Sequence, residues 1–459
     1  MEKPNILLIF DDQHRYSALG RSGNKVIQTP NMDRLAAQGL VFDRAFSSCP
    51  ICSPFRGQVL TGRYAHKNGV VDNEYRMRAD QVTLPQALKS AGYRTGFVGK
   101  WHLGYPPYTE DKRYGFDDMA AYNCNHSYYK VAYFENEEGP VKIDGWAPEE
   151  ETSLAIRFLE AHRETHSETP FFLMLGWGPP HWPYDQYPEE FDIYNPDDVD
   201  VPPNVPEQMD AFARKEIAHY YGNITALDAQ MGTLLEALDR LGLTENTIVV
   251  FTSDHGDHLS SHGYGKPMDR WMHPIMRASK ATPYNESIHI PFLIRYPDRI
   301  RQERRSQALL SSVDVMPTLL ALCGIDIPNG VQGADLSHVV LNQEGPERDS
   351  VYLQILGPGW PHRGKWVGFW RGLRTDRWVY ARWKDHDYGP LLFDCQNDPY
   401  EMHNLAGDSA YAEVQCELEK RLNQWIEQTD DPFDAGDRDP ETGMLLLGQE
   451  FTHEKWTSD

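Results

Sequence analysis

Four β-rich runs of this chain each end in residues able to carry charge or protons. Asn5 to Phe10 (NILLIF) runs into Asp11-Asp12-Gln13, and Arg94 to Val98 opens onto Lys100-Trp101-His102. Phe171 to Trp177 (FFLMLGW) passes through Gly178-Pro179-Pro180 into His181, and Thr247 to Thr252 (TIVVFT) runs into Ser253-Asp254-His255. In open α/β sheets ligands bind outside the carboxyl ends of the strands. One rim is therefore predicted to gather two carboxylates, an Asp-His pair, a lysine and two further histidines. Cys52-Ser53-Pro54-Phe55-Arg56 adds a thiol and a fixed cation. Ser53 followed by Pro54 predicts a helix start, with the serine as cap. Cys52 would then lie beside unpaired N–H groups, a place that holds an anion and lowers a thiol pKa. Arg56, one turn in, can aim its guanidinium at the same spot.

Taken singly, these residues admit plainer readings. Cys49-Pro50-Ile51-Cys52 is also a C-x-x-C, but no second such pair and no thioredoxin pattern accompany it. His258 and His262 are four apart, yet no Glu follows His258 as a zinc H-E-x-x-H requires, which favours a loop or positioning role. Asp11-Asp12 could be a solvated strand end, and His181 could belong to a rigid proline-rich turn. The Trp and Tyr residues between positions 355 and 390 could line a sugar platform, fill a core or form an interface.

The elements that must position these groups alternate strand and helix through the first three hundred or so residues, which predicts a mostly parallel α/β sheet. Helices are predicted from Thr29-Pro30 to Gly39, from Thr83 to Gly92, over Glu150 to Thr165, from about Met209 to Leu241, and over Val313 to Cys323. Ile288 to Tyr296 reads as one more strand. Asn342 to Ser350 (NQEGPERDS) is a polar linker, which divides a catalytic unit, 1–345, from a smaller one, 346–459. The second has closely spaced β segments at Val351 to Ile355, Trp366 to Leu373, Arg377 to Trp383 and Leu391 to Asp394. A helix over Ala410 to Gln428 and an acidic, loop-like tail follow, so it reads as an α+β subdomain with an antiparallel sheet.

Composition narrows the partners. The 459 residues carry 44 Lys+Arg against 68 Asp+Glu, a formal charge of −24, which disfavours nucleic acid and anionic membranes as ligands. An anionic substrate would need a local cationic pocket. Six cysteines are too sparse for a disulfide scaffold, and no apolar run approaches the ~18 residues of a membrane span. No basic segment precedes Ile6 to Phe10, so no secretory leader is read. The compartment stays open between cytoplasmic, as written, and periplasmic or secreted, if a leader had been removed.

Five ordered motifs resemble those of the formylglycine-dependent sulfatases of the alkaline phosphatase superfamily. Cys52-Ser53-Pro54-Phe55-Arg56 with Leu60-Thr61-Gly62-Arg63 is similar to their first signature, and Gly92 to Gly104 (GYRTGFVGKWHLG) to their second. Thr29 to Leu35, Ser253 to Asp257 and the Asp398-Pro399…Asn404-Leu405 segment complete the set, covering Asn5 to about Leu405. The resemblance implies the alkaline-phosphatase-like fold and hydrolysis of a sulfate ester. It also implies that a separate formylglycine-generating (sulfatase-maturating) enzyme oxidises Cys52 to an aldehyde, which hydrates to a diol. One hydroxyl, acidified by a metal, attacks sulfur and expels the alcohol; deprotonation of the other ejects sulfate.

The resemblance further implies a metal set of Asp11, Asp12, Asp254, His255 and an oxygen of modified Cys52. Calcium is the family's usual ion, and His255 admits manganese or zinc. Arg56 and Lys100 would steady the diol and sulfate oxygens, with His102 and His181 as hydrogen-bond and proton-transfer partners. Lys280 joins His181 at the leaving group and is chosen over Lys266 because it stands eleven residues before Pro291, the family's spacing; Tyr264 to Ser279 then reads as an insertion. The expected substrate is a sulfated small molecule or glycan, most of all a sulfated carbohydrate. The alternatives are a phosphonate monoester or phosphodiester hydrolase of the same superfamily and a non-catalytic binder of sulfated glycans.

Overall fold

The fold was determined as a computed structural model, which describes residues 3–264, 276–300, 302–357, 361–362, 365–366, 368–384 and 389–434. Lys266, most of the Tyr264 to Ser279 segment and the tail beyond residue 434 lie outside the described residues.

A central sheet of eleven strands carries the first part of the chain. Its strands are β1 (Asn5–Asp12), β2 (Leu40–Phe46), β3 (Arg94–Lys100), β4 (Asp118–Tyr122), β5 (Ala132–Glu135), β6 (Glu138–Lys142), β7 (Phe171–Pro180), β8 (Thr247–Ser253), β9 (His289–Ile290), β10 (Phe292–Arg295) and β11 (Arg304–Ser311). The order is β11-β2-β10-β8-β1-β7-β3-β4-β5-β6, with β9 also on β2. β8, β1, β7, β3 and β4 run parallel. Their aliphatic runs are buried on both faces, as a parallel sheet between helical layers requires. The mostly parallel α/β class expected from the sequence is what the chain adopts.

The helices of this part are α1 (Pro30–Ala37), α2 (Cys52–Thr61), α3 (Ala65–Asn68), α4 (Leu84–Ser90), α5 (Ala147–Thr165), α6 (Asp210–Arg240), α7 (Asn285–Ile288), α8 (Val315–Leu322) and α9 (Ser337–Val340). α4 starts on a capping box between Thr83 and Gln86. At α1 the cap comes from elsewhere: Thr29 makes no cap bond, and Asp228 of α6 accepts from the Asn31 and Met32 N–H groups at 3.0 and 2.7 Å.

Two expectations need correction. Ile288 to Tyr296 is not one strand: α7 ends at Ile288, and Pro291, which has no N–H to give, separates β9 from β10. β10 is also antiparallel to both its neighbours. At the cysteine motif the helix begins at Cys52 itself, with Ile51 as the cap position, and Ser53 caps nothing. Ser53 Oγ instead donates to the His102 carbonyl at 2.5 Å.

A second sheet orders β12 (Ser350–Ile355), β15 (Trp370–Thr375), β16 (Trp378–Trp383) and β17 (Leu391–Asp394), all antiparallel; β13 (Pro361–His362) and β14 (Lys365–Trp366) form a small separate ladder. Helix α10 (Ala412–Gln428) packs its buried Leu418, Leu422 and Ile426 against this sheet. Among the described residues no helix is long and apolar enough to cross a membrane.

A buried ion pair ties the segment after α10 to the second sheet and to α3. Arg371 grips Asp431 with two bonds of 2.6 and 2.9 Å, Tyr352 Oη donates to the same carboxylate at 2.8 Å, and His66 of α3 lies 3.4 Å away. Burial alone would raise the Asp431 carboxyl; Arg371 foremost, with His66, brings it down to about 2. Removing one partner of such a pair strands the other charge. Asp431→Ala is expected to cost about 3–5 kcal/mol, read from denaturant midpoints, and a loss below 1 kcal/mol would show the pair to be dispensable.

Candidate active site

The carboxyl ends of β1, β7, β3 and β8 form one rim, and α2 points its first residue at it. Cys52 Sγ lies 3.3 Å from His255 Nε2, 3.4 Å from Lys280 Nζ and 3.6 Å from Asp12 Oδ1. Cys52 is 1 % exposed. Burial and Asp12 oppose a negative charge there, yet Lys280, Lys100 and His255 together hold the thiol well below its ordinary range. An anion at this atom is therefore stabilised, despite the chain's net −24.

The cations are spoken for by the carboxylates beneath. Lys100 Nζ donates to Asp12 Oδ2 at 2.7 Å, and the Arg56 guanidinium reaches Asp12 Oδ2 at 3.3 Å and Asp254 Oδ2 at 3.5 Å. Arg56 also donates to the Lys100 carbonyl and lies over the Phe10 ring, 4.5 Å from its centroid. Gly176 leaves the room for this: a Cβ there would stand 2.9 Å from Phe10 and 3.4 Å from the guanidinium. Burial raises the Asp12 carboxyl, but Lys100 and its cationic neighbours take it well below the usual range. Asp254, with burial and Asp12 both against its charge, is pushed up to about 7.

Lys280 bridges three groups, with Nζ 2.9 Å from His181 Nε2 and 3.2 Å from Gln13 Oε1 besides Cys52. His181 Nδ1 lies 2.7 Å from the Trp182 carbonyl, which can only accept, so Nδ1 carries the hydrogen and Nε2 offers a lone pair to Lys280. Burial, reinforced by Lys280, keeps His181 neutral by lowering its pKa well below the usual value. His102 takes the opposite state. Burial opposes its charge, but Cys124, Cys52 and Glu74 around it hold it protonated, well above its usual value.

Asp12, Cys52, Asp254 and His255 each offer one atom to a group whose members all lie within 4.8 Å of one another. Asp11 stands outside that group. Its Oδ2 pairs with His14 Nδ1 at 2.7 Å, while its Oδ1 is buried with no hydrogen-bond partner. A buried carboxylate oxygen without a donor, beside two further carboxylates, an imidazole and a nucleophile position, fits a divalent cation. Every site residue read from the sequence thus falls in or beside one cluster.

Other members were not foreseen. Gln13 directs the centre: its N–H donates to Asp254 Oδ1 at 3.0 Å and its Nε2 to Asp257 Oδ2 at 2.7 Å. Gln13 (φ 78°) and His102 (φ 53°) both take the left-handed backbone region, which costs about 1 kcal/mol or more each and clusters at functional sites. Cys124 and His126 follow β4 on the same rim. Cys124 lies among His102, Lys100 and His126, and the His126 ring stacks on His181 with centroids 4.5 Å apart and 3° between planes. Recognition of β4 as a parallel strand would have exposed them; its sequence, DMAAY, is too short and polar to signal one.

Behind the rim, Glu151 is fully buried, accepting from Tyr133 Oη at 2.8 Å, and burial pushes its pKa up to about 8. The unfolded chain releases this proton near pH 4.5 while the folded chain keeps it to about 8, so stability falls as pH rises across that window. Glu151→Gln is expected to match the native chain at pH 4.5 and to exceed it at pH 8, as denaturant midpoints will show. Parallel midpoints at both pH values would contradict the assignment.

Comparison with known proteins agrees with this geometry. The sulfatase family model matches residues 4–325, and the model for the C-terminal part of N-sulphoglucosamine sulphohydrolase matches 278–428. An ulvan-active sulfatase of Formosa agariphila is 34% identical, over 95% of this chain and 83% of its own. An endo-4-O-sulfatase of Bacteroides thetaiotaomicron is 31% identical, over 94% and 93%. A solved structure described as bound to its substrate D-glucosamine-2-N,6-O-disulfate superposes with a TM-score of 0.83, at 26% identity, over 95% of this chain and all of the other. The chain belongs to the formylglycine-dependent sulfatase family of the alkaline phosphatase superfamily and is a sulfuric ester hydrolase.

Proposed function

We propose that this sulfatase removes sulfate from a sulfated glycan, at a formylglycine that a maturating enzyme makes from Cys52. The observation that carries this reading is the position of Cys52 Sγ, at the start of α2, between Lys280 and the Asp12–His255 group. That sulfur stands where an oxygen of the modified side chain would lie. The glycan class is supported by the relatives, whose names specify ulvan and an amino-sugar disulfate.

Asp11, Asp12, Asp254, His255 and the modified residue would hold a divalent cation, calcium above all, with manganese or zinc accommodated by the His255 nitrogen. When bound, the cation supplies Lewis acidity to the hydroxyls of the modified residue, and the hydrated aldehyde supplies a nucleophile with a second hydroxyl for release.

The remaining chemistry belongs to the chain. Lys280 points a charged Nζ at the reacting position and carries the proton offered to the leaving oxygen; neutral His181 accepts from it and fixes its direction. This assigns His181 to orienting Lys280 rather than to giving the proton itself. Arg56 and Lys100 balance the carboxylates, so that an incoming sulfate meets a site without surplus negative charge. His102, held charged beside Cys52, would donate a hydrogen bond to the hydroxyl that does not attack, and could take that hydroxyl's proton only after giving up its own.

Two experiments test the reading. Sulfate release from a panel of sulfated glycans, with paired sulfate and phosphodiester esters of one alcohol, is expected to favour the sulfate; preference for the phosphodiester would replace it with the phosphonate or phosphodiester hydrolase reading. Chelation is expected to lower turnover at least ~100-fold, with recovery on adding Ca2+. Full activity after exhaustive chelation would remove the cation from the account.

A further inference from the structure

A second set of ligand-type side chains lies behind the catalytic rim. One ring nitrogen of His262 and one carboxylate oxygen each from Glu286 and Glu401 all fall within 4.8 Å of one another. They come from three separate stretches: the loop after β8, helix α7, and the loop after β17. Asn204 closes a fourth side. It is 7 % exposed, and its amide nitrogen lies 2.6 Å from Glu286 Oε1 and 3.2 Å from His262 Nε2.

Protons alone leave this arrangement poorly matched. Glu286 Oε2 is buried without a hydrogen-bond donor, and His262 Nε2 stands 3.6 Å from it. Asn204 Nδ2 spends its two hydrogens on Glu286 Oε1 at 2.6 Å and the Tyr400 carbonyl at 3.0 Å, so it has none for His262 Nε2. His262 Nε2 and Glu286 Oε2 then face each other across a gap too long for a hydrogen bond. A divalent cation between them, with Glu401 as third ligand, satisfies both.

The supports of the cluster are already in place. The Asn285 N–H donates to Glu401 Oε2 at 2.8 Å and Cys395 Sγ lies 3.4 Å from Glu401 Oε1. The Tyr284 ring stacks on His262 at 4.1 Å, and the His262 N–H donates to the Asn204 carbonyl at 2.8 Å. Ligands whose orientations are fixed by outer partners are what a metal site requires.

We propose that His262, Glu286 and Glu401 form a second divalent-cation site, distinct from the catalytic one, that takes a nitrogen-accepting ion such as Zn2+ or Mn2+, with the Asn204 amide holding Glu286 in place. Its place gives it a job. Glu286 is six residues beyond Lys280, and the neighbouring Ser287 carbonyl receives the Gly256 N–H at 2.8 Å, two residues from Asp254. A cation here would pin the loop of Glu401 to the two segments that carry Lys280 and Asp254.

Zn2+ binding is to be counted per chain by mass spectrometry of the metal and by calorimetry, in a chain carrying Asp12→Asn and Asp254→Asn to disable the catalytic group. That chain is expected to bind one Zn2+ and to melt higher with Zn2+ than without; adding Glu401→Gln, or separately His262→Gln, is expected to abolish both. The unaltered chain is expected to bind one ion more than its Glu401→Gln variant, a comparison that needs no catalytic-site change. No Zn2+ in the doubly substituted chain, or equal stoichiometry with and without Glu401→Gln, would overturn the site. The readouts do not depend on turnover, so the proposal stands or falls apart from the sulfatase chemistry.

Discussion

Cys52→Ala is expected to lower kcat/KM for a sulfate ester by roughly 10^4-fold or more, the scale seen when a nucleophile is deleted. The argument is local. No other described thiol or hydroxyl side chain combines a helix start, a lysine at 3.4 Å and an Asp–His pair at 3.3 to 3.6 Å. Fold should survive, because alanine fits where cysteine fits and the Ile51, Phe55 and Val59 packing of α2 is untouched. Circular dichroism and the melting midpoint should therefore stay close to those of the native chain while turnover disappears. Near-native activity in the folded variant would assign the nucleophile elsewhere.

Lys280→Ala is expected to cost about 10^2–10^3-fold in kcat, the usual effect of deleting one preorganised charged donor at a reacting centre. The side chain is 3 % exposed, and its removal leaves His181 Nε2 and Gln13 Oε1 without their donor. Because Lys280 carries the proton meant for the leaving oxygen, the loss should shrink for substrates whose alcohol leaves readily. A substrate series of falling alcohol pKa measures this, and a uniform loss across the series would make Lys280 a binding residue only. Lys266→Ala, outside the described residues, should change kcat less than threefold; a larger loss than Lys280→Ala would show that the register across Tyr264 to Ser279 had been misread.

How much of this was legible in the chain depended on burial. Strands β1, β7 and β8 are unbroken apolar runs because both faces are covered, and such runs announce themselves. Their ends therefore bring Asp12, His181 and Asp254 to the shared rim. β2 and β11 escaped because polar residues interrupt them: Asp43 in β2 is held by Arg305 of β11, a pairing only the folded sheet creates. β4 escaped for its brevity, and with it Cys124 and His126. Gln13 was visible beside Asp11-Asp12 but had no chemistry of its own until the fold brought Asp254, Asp257 and Lys280 to it. His258 and His262, spaced like half a zinc motif, keep their rings in contact, centroids 5.9 Å apart, but turn to different partners. His258 lies 2.7 Å from Thr282 Oγ1, while His262 turns to Glu286. The spacing was uninformative because Thr282 and Glu286, the side chains each ring turns to, stand 24 residues further along the chain.

The tryptic peptide Ala45–Arg56 holds both Cys49 and Cys52, so each preparation carries its own control. Mass spectrometry of that peptide from an alkylated, active sample should find Cys49 alkylated and position 52 as an aldehyde lacking sulfur. Turnover per chain should rise in proportion to that aldehyde. An active sample whose peptide is alkylated at both cysteines throughout would contradict the mechanism at its root.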